Sequence, residues 1–209
     1  MDNWIIGNEV NIRESWNYMP ESYGLKKYVK VYADGFRICF NAIKAQNAYA
    51  RVYISLDNEW NTVAGKNFKG KDFLDTFASL ISKEGNIQWD VAIHPYNHPM
   101  TSTDCENQIG TYGITNTPDT TYLTMQNIGV LTNYLHQDRF LIYGEVRSVL
   151  CSEQGYTSSG PGGEDAQAKA IAYAYQQAKM NPDIDGFLLN RQQDAPEEIA
   201  QGLDRKSVV

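Results

Sequence analysis

The sequence predicts an α/β fold of the (β/α)-barrel kind. Two observations carry that prediction, and an absence supports it. Five short apolar runs alternate with four amphipathic segments, an order that implies parallel strands joined by right-handed crossovers. Polar residues follow every one of those runs: Glu9, Asp57 and Asn58, His94 and Tyr96, Glu153, and Asn190 and Arg191. An open doubly wound sheet satisfies the first observation as well as a barrel does. The second favours the barrel, whose reactive face collects side chains from several strand ends. The absence is a phosphate loop: GNEVN after the first strand is not GxGxxG. Five strands do not close an eight-stranded barrel. The expectation is therefore a partial (β/α)8 TIM barrel, its C-terminal portion with strands four to eight, the first three being absent. It covers residues 1–203, and residues 204–209, DRKSVV, form a non-native or disordered tail.

Each element has its own signal. Trp4–Asn8, WIIGN, is a buried strand, and the aromatic- and Asn-rich stretch after it is a loop. Tyr23–Gln46 carries Leu25, Tyr28, Val29, Tyr32, Ala33, Phe36, Phe40 and Ile43 at helical spacing, with Gly35 as its weak point. Arg51–Leu56 is a strand. Lys71–Lys83 is a helix with Phe73, Leu74, Phe77 and Leu80 on one side and Gly85 at its C-terminal cap. Trp89–Ile93 is the third strand and delivers HPYNHP. The aperiodic stretch Met100–Thr120 is long for a bare connector, and a functional lid is one explanation. Thr121–His136 is a helix, and Phe140–Tyr143 is either a short strand or a buried loop. Arg147–Cys151 is the fourth strand and ends in Ser152, Glu153, Gln154 and Gly155. Glu164–Lys179 is an Ala- and Gln-rich helix stopped by Asn181-Pro182, and Ile184–Leu189 is the last strand.

Composition removes several function classes. A net charge of -7 and a pI near 4.9 argue against a nucleic-acid partner. No run reaches the length of a membrane span. Cys39, Cys105 and Cys151 are odd in number and far apart, with no CxxC pair, so neither a disulfide framework nor a structural zinc site is expected.

The chemistry lies at the strand ends. A carboxylate at the tip of a buried strand is costly to desolvate unless a partner or a function uses it. Glu9 and Glu153 both hold such positions, and they either face each other across one cleft or serve as separate caps. Facing carboxylates suit glycosidic-bond cleavage, in which one carboxylic acid protonates the leaving oxygen and the other carboxylate attacks carbon or activates water. Tyr96 is a candidate donor to Glu153. Asn8 is a candidate for a sugar 2-hydroxyl. Asn58 and Trp60 follow the second strand, and Trp60 either stacks on a sugar or packs the loop. His94 and His98 either hydrogen-bond substrate, shape a rigid turn, or join Asp104 or Cys105 in a metal site. Arg191 pairs with Asp194 or reaches substrate. Cys151 belongs to the core unless His94 stands beside it as a base.

The segments WIIGNEVN, VYISLDNEW, WDVAIHPYNHP, LCSEQG and IDGFLLNRQQD together resemble a bacterial family of proteins with domain of unknown function 5722, over roughly Asn3 to Leu203. That family is similar to the TIM-barrel glycoside-hydrolase superfamily with catalytic glutamates on strands four and seven. The resemblance implies retaining hydrolysis, with Glu9, after Asn8, as acid/base and Glu153 as nucleophile. It implies that His94 and Tyr96 lie near the nucleophile, that no cofactor or metal is used, and that the partner is a polysaccharide or oligosaccharide. It implies a full-length protein containing the missing barrel strands, an extracellular or periplasmic location, and weak or no activity for the piece alone. The last strand end departs from the pattern, offering Asn190 and Arg191 where tryptophan is common. A non-catalytic carbohydrate-binding domain and a metal-dependent hydrolase built on His94, His98 and an acid are the alternatives.

Overall fold

A computed structural model describes residues 2–191 and 194–203 of the chain. The predicted tail, residues 204–209, lies outside the described residues. The strands are β1 (Asn3–Ile6), β2 (Arg51–Leu56), β3 (Asp90–Ile93), β4 (Val149–Gln154) and β5 (Ile184–Leu189). They pair in parallel in the order of the sequence, β1-β2-β3-β4-β5, and curl into half a barrel. Sequential order is what a barrel requires; a doubly wound sheet reverses direction part-way.

Period-two alternation separates the two faces of the sheet. Val52, Ile54, Leu56, Val91, Ile93, Val149 and Cys151 point to the helices and join one continuous core. Tyr53, Ala92 and Leu150 form a separate small cluster on the concave face. The helices that cover the outer face are α2 (Leu25–Gln46), α3 (Gly70–Lys83), α4 (Gly129–Leu135) and α5 (Gly163–Met180); the short α1 (Arg13–Trp16) and α6 (Pro196–Ala200) lie in connections. α2 runs unbroken through Gly35. It buries Tyr32 and Phe36 edge-on against Phe73 and Phe77 of α3, and Phe77 in turn meets Trp89. Each fully buried ring of this ladder contributes about 1.5–3 kcal/mol of transfer free energy.

Boundaries shift where loops were read as elements. The expected helix Thr121–His136 begins later, as a single 3-10 turn at Met125–Asn127 followed by α4, because Tyr122 is drawn into an antiparallel bridge with Glu59. Phe140–Tyr143 is a buried loop closed by the Ile142–Glu145 bridge. Met100–Thr120 is threaded with turns and tied down by Asn127, whose side chain donates to the Thr115 carbonyl and Thr120 Oγ1. β1 stops at Ile6, so Glu9 belongs to the turn beyond it. β4 runs past Cys151 through Glu153, and there Cys151–Gln154 lies opposite only Phe187–Leu189 of β5. That extra residue is a bulge, the device by which a strand re-aims a side chain near its end.

Gly7 starts the turn after β1 with φ of 85°, and a methyl there would lie 2.8 Å from Val10 Cγ1. Both the left-handed backbone and the contact oppose any side chain. Gly7→Ala is expected to destabilise the protein by about 1–3 kcal/mol in denaturant titration, whereas Gly35→Ala, with open space around the new methyl, is neutral or stabilising.

Candidate active site

Four strand ends meet at one point. After Gly7 the chain turns through Glu9, itself left-handed with φ of 41°, which is rare for a residue with a side chain. Two anchors hold it there. The Glu9 backbone N–H donates to Ser55 Oγ at 3.2 Å and the Val10 N–H to the Ser55 carbonyl at 2.8 Å. Fully buried Asn11 then clasps the end of β2: its Nδ2 donates to Asp57 Oδ1 at 2.8 Å and its Oδ1 accepts the Asp57 N–H at 3.1 Å. The side chain of Glu9 is thereby aimed over the open end of the half-barrel.

β3 delivers His94, which is buried, and its Nδ1 lies 2.9 Å from Glu9 Oε1 and 3.8 Å from Glu153 Oε2. Nδ1 donates to Glu9 in the tautomer that carries the proton there and accepts in the other. Glu9 Oε2 accepts the Trp16 indole N–H at 2.6 Å. The bulge on β4 brings in Glu153, whose Oε1 accepts two hydrogen bonds, from Tyr96 OH at 2.7 Å and from Asn190 Nδ2 at 3.0 Å. Asn190 Nδ2 also donates to the Tyr96 oxygen at 2.9 Å, closing a three-membered network. One ligand-type atom from each of Glu9, His94 and Glu153 lies within 4.8 Å of the others. Both carboxylates stay accessible, Glu9 18% and Glu153 32% exposed at the side chain.

The structure thus brings together Glu9, Glu153, His94 and Tyr96 of the residues singled out from the sequence, and leaves others elsewhere. Asn8 is half-buried beside Glu9, and its side chain makes no hydrogen bond among the described residues. Asn58 donates one Nδ2–H to the Tyr96 carbonyl at 3.0 Å, so its amide braces the β3 turn. Trp60 is 0% exposed, edge-on to Tyr134, with its indole N–H on the Pro118 carbonyl, and so offers no face to a sugar. His98 stacks on Tyr122 at 3.9 Å and meets Tyr112 edge-on; burial holds its pKa down. Asp104 is occupied by Asn107. The His94–His98–acid metal grouping does not form. Among the described residues the set that offers a cation three donors is Glu9, His94 and Glu153. Arg191 pairs with Glu198 of α6 at 3.1 Å, leaving its neighbour Asn190 as the residue of that strand end in the site. Cys151 is buried on the helix-facing side and burial pushes its thiol up to about 12, which removes it as a nucleophile.

One participant escaped the sequence reading: Trp16 sits in a stretch without periodicity, and only its aromatic character hinted at use. Asn190 was read as a polar residue at the last strand end, without a role in the site.

The chain matches the model of a family of unknown function, DUF5722, over residues 1–205. No curated protein matches it. Among solved structures it is similar to a family 39 glycoside hydrolase from the gut symbiont Bacteroides cellulosilyticus WH2, with a TM-score of 0.55 and 17% identity over 96% of this chain and 36% of that one. The chain therefore spans about a third of that protein's length, and the likeness is one of fold. No helix among the described residues is long and apolar enough to cross a membrane.

Asp57 carries a pH signature of this site. Burial pushes its carboxyl up to about 7, with the negative charges of Glu59 and Glu9 adding to the rise, against hydrogen bonds from Asn11 and the Glu59 N–H. A folded-state pKa above the unfolded value means that this group's contribution is full below about pH 3.8 and declines as pH rises to about 7. Asp57→Asn keeps an acceptor for Asn11 and removes the charge. Denaturation midpoints measured from pH 4 to 7 are expected to fall less steeply in that variant than in the native protein.

Proposed function

We propose that this chain, which belongs to the family of unknown function DUF5722, carries the two catalytic glutamates of a retaining glycoside hydrolase. The observation that carries the reading is the pair of accessible carboxylates: an oxygen of Glu9 and an oxygen of Glu153 within 4.8 Å. Retaining glycosidases hold their carboxyl groups about 5–5.5 Å apart, and inverting ones about 6.5–9.5 Å.

The hydrogen bonds divide the roles. Glu153 Oε1 takes two donors, Tyr96 OH and Asn190 Nδ2, which fix the carboxyl group and leave Oε2 to attack the anomeric carbon. Glu9 protonates the leaving oxygen as the glycosyl–Glu153 ester forms. It then takes a proton from the water that hydrolyses that ester. His94 Nδ1, 2.9 Å from Glu9 Oε1, keeps that carboxyl group oriented through both steps. Asn8, half-buried and uncommitted, remains the candidate for the sugar hydroxyl beside the reacting carbon. The substrate is a polysaccharide or oligosaccharide, met outside the cytoplasm.

A further part of the reading concerns the sheet. The outer strands carry exposed apolar side chains, Trp4 and Ile5 on β1 and Leu188 and Leu189 on β5. An uncovered strand edge of this composition is a pairing surface. Three more strands in the full-length protein would cover both edges and close the barrel around Tyr53, Ala92 and Leu150.

Glu9→Gln and Glu153→Gln in the full-length protein are expected to lower kcat by about 10³-fold each on oligosaccharides. With an aryl glycoside whose leaving group needs no proton, Glu9→Gln recovers most of the first step and Glu153→Gln recovers none. Unchanged turnover in both variants would end the assignment. Asn190→Ala is expected to cost about 10–100-fold in kcat, with little change in KM.

A further inference from the structure

Beside the Glu9 turn lies a cavity of about 420 Å³, within the size range of sugar-sized ligand sites, lined by Arg13, Asn17, Tyr18, Met19, Glu21 and Lys66. Its wall is the same segment whose Trp16 indole holds Glu9. Asn17 links the two: it lines the cavity, and its Nδ2 donates to the Ile12 carbonyl at 2.8 Å and the Glu9 carbonyl at 3.4 Å.

Arg13 is the distinctive group there. Its guanidinium lies over the rings of Tyr28 and Phe68, at 5.4 and 5.1 Å, and one Nη2–H donates to the Pro20 carbonyl at 3.0 Å. Its backbone N–H is fixed on Asn67 Oδ1. Nε and Nη1 have no hydrogen-bond partner among the described residues. A guanidinium already held by packing loses little freedom on binding, and its planar donors match a carboxylate or sulfate in a way an ammonium does not. Lys66 pairs with Glu21 at 2.9 Å, so the lining carries two cations and one anion in a chain of net charge -7. Tyr18, 91% exposed, presents a ring at the same mouth for the apolar face of a sugar.

We propose that this cavity is a subsite for an anionic sugar unit, with Arg13 as the residue that recognises the negative group. Its position in the substrate chain rests on the glycosidase reading. Glu9 protonates the leaving oxygen, so the cavity, on Glu9's side, receives a sugar of the leaving group. The proposed substrate is accordingly a glycan with acidic units. A uronate carboxylate and a sulfate ester share the chemistry that Arg13 selects.

The test is calorimetric titration of the full-length protein with glucuronate, glucose 6-sulfate and glucose. Either anionic sugar should bind more tightly than glucose, and the tighter of the two names the group. Arg13→Gln is expected to weaken that binding about tenfold and leave glucose unchanged. Glu21→Gln, on the exposed rim, removes the competing carboxylate and is expected to tighten anion binding about threefold, a readout that survives if Arg13→Gln fails to fold. Glucose binding as well as the anions, or anion affinity indifferent to Glu21→Gln and to any folded Arg13 variant, would overturn the proposal. The titration reads binding without turnover, whereas Glu9→Gln and Glu153→Gln are read by turnover. Loss of the hydrolytic assignment and loss of this subsite would thus be seen separately.

Discussion

The site depends on the anchoring of one strained turn. Glu9 sits at positive φ, a conformation costing of order 1 kcal/mol or more that persists only where surroundings over-determine it. Ser55 and the Asn11–Asp57 clasp supply that determination, with Ser55 and Asn11 both fully buried. The clasp belongs to β2, the strand between β1 and β3, so the position of Glu9 is inherited from the sheet register. A second irregularity, the bulge in β4, re-aims Glu153. The facing carboxylates therefore come from two local departures from ideal geometry, carried by a regular half-barrel.

His94 connects the two departures. It is buried, contacts Glu9 directly and lies a longer step from Glu153. The rest of the surrounding shell is asymmetric: Glu9 has an indole donor, while Glu153 has a phenol and an amide on one oxygen. Asymmetry of this kind lets two identical side chains perform opposite proton tasks, because their environments differ in donors and exposure.

Much of the frame was legible in the sequence. Arg51–Leu56 and Ile184–Leu189 have the bounds expected of them, because apolar runs flanked by turn residues are local signals. α2 and α3 follow from spacing, and Gly85 ends α3 as expected, with φ of 97°. Glu9 and Glu153 stood out as carboxylates at strand ends, and His94 and Tyr96 as polar residues following the third strand. What could not be read was set by distant contacts. Trp60 in a polar loop reads equally as a stacking platform or as loop packing, and only its enclosure by Tyr134 and Pro118 decides for packing. His98 is indistinguishable from His94 within HPYNHP, and only Tyr122 and Tyr112 take it aside. The bulge that aims Glu153 leaves no mark in RSVLCSEQG, where the change from apolar to polar residues reads as the end of a strand.

The account stands or falls on whether the two glutamates work through a covalent glycosyl ester. The most direct measurement is proton NMR of the first sugar released by the full-length protein, recorded before the anomers equilibrate. Retained configuration at the anomeric carbon is the predicted result. Release of the opposite anomer would contradict it, because inversion proceeds by direct attack of water with no ester intermediate.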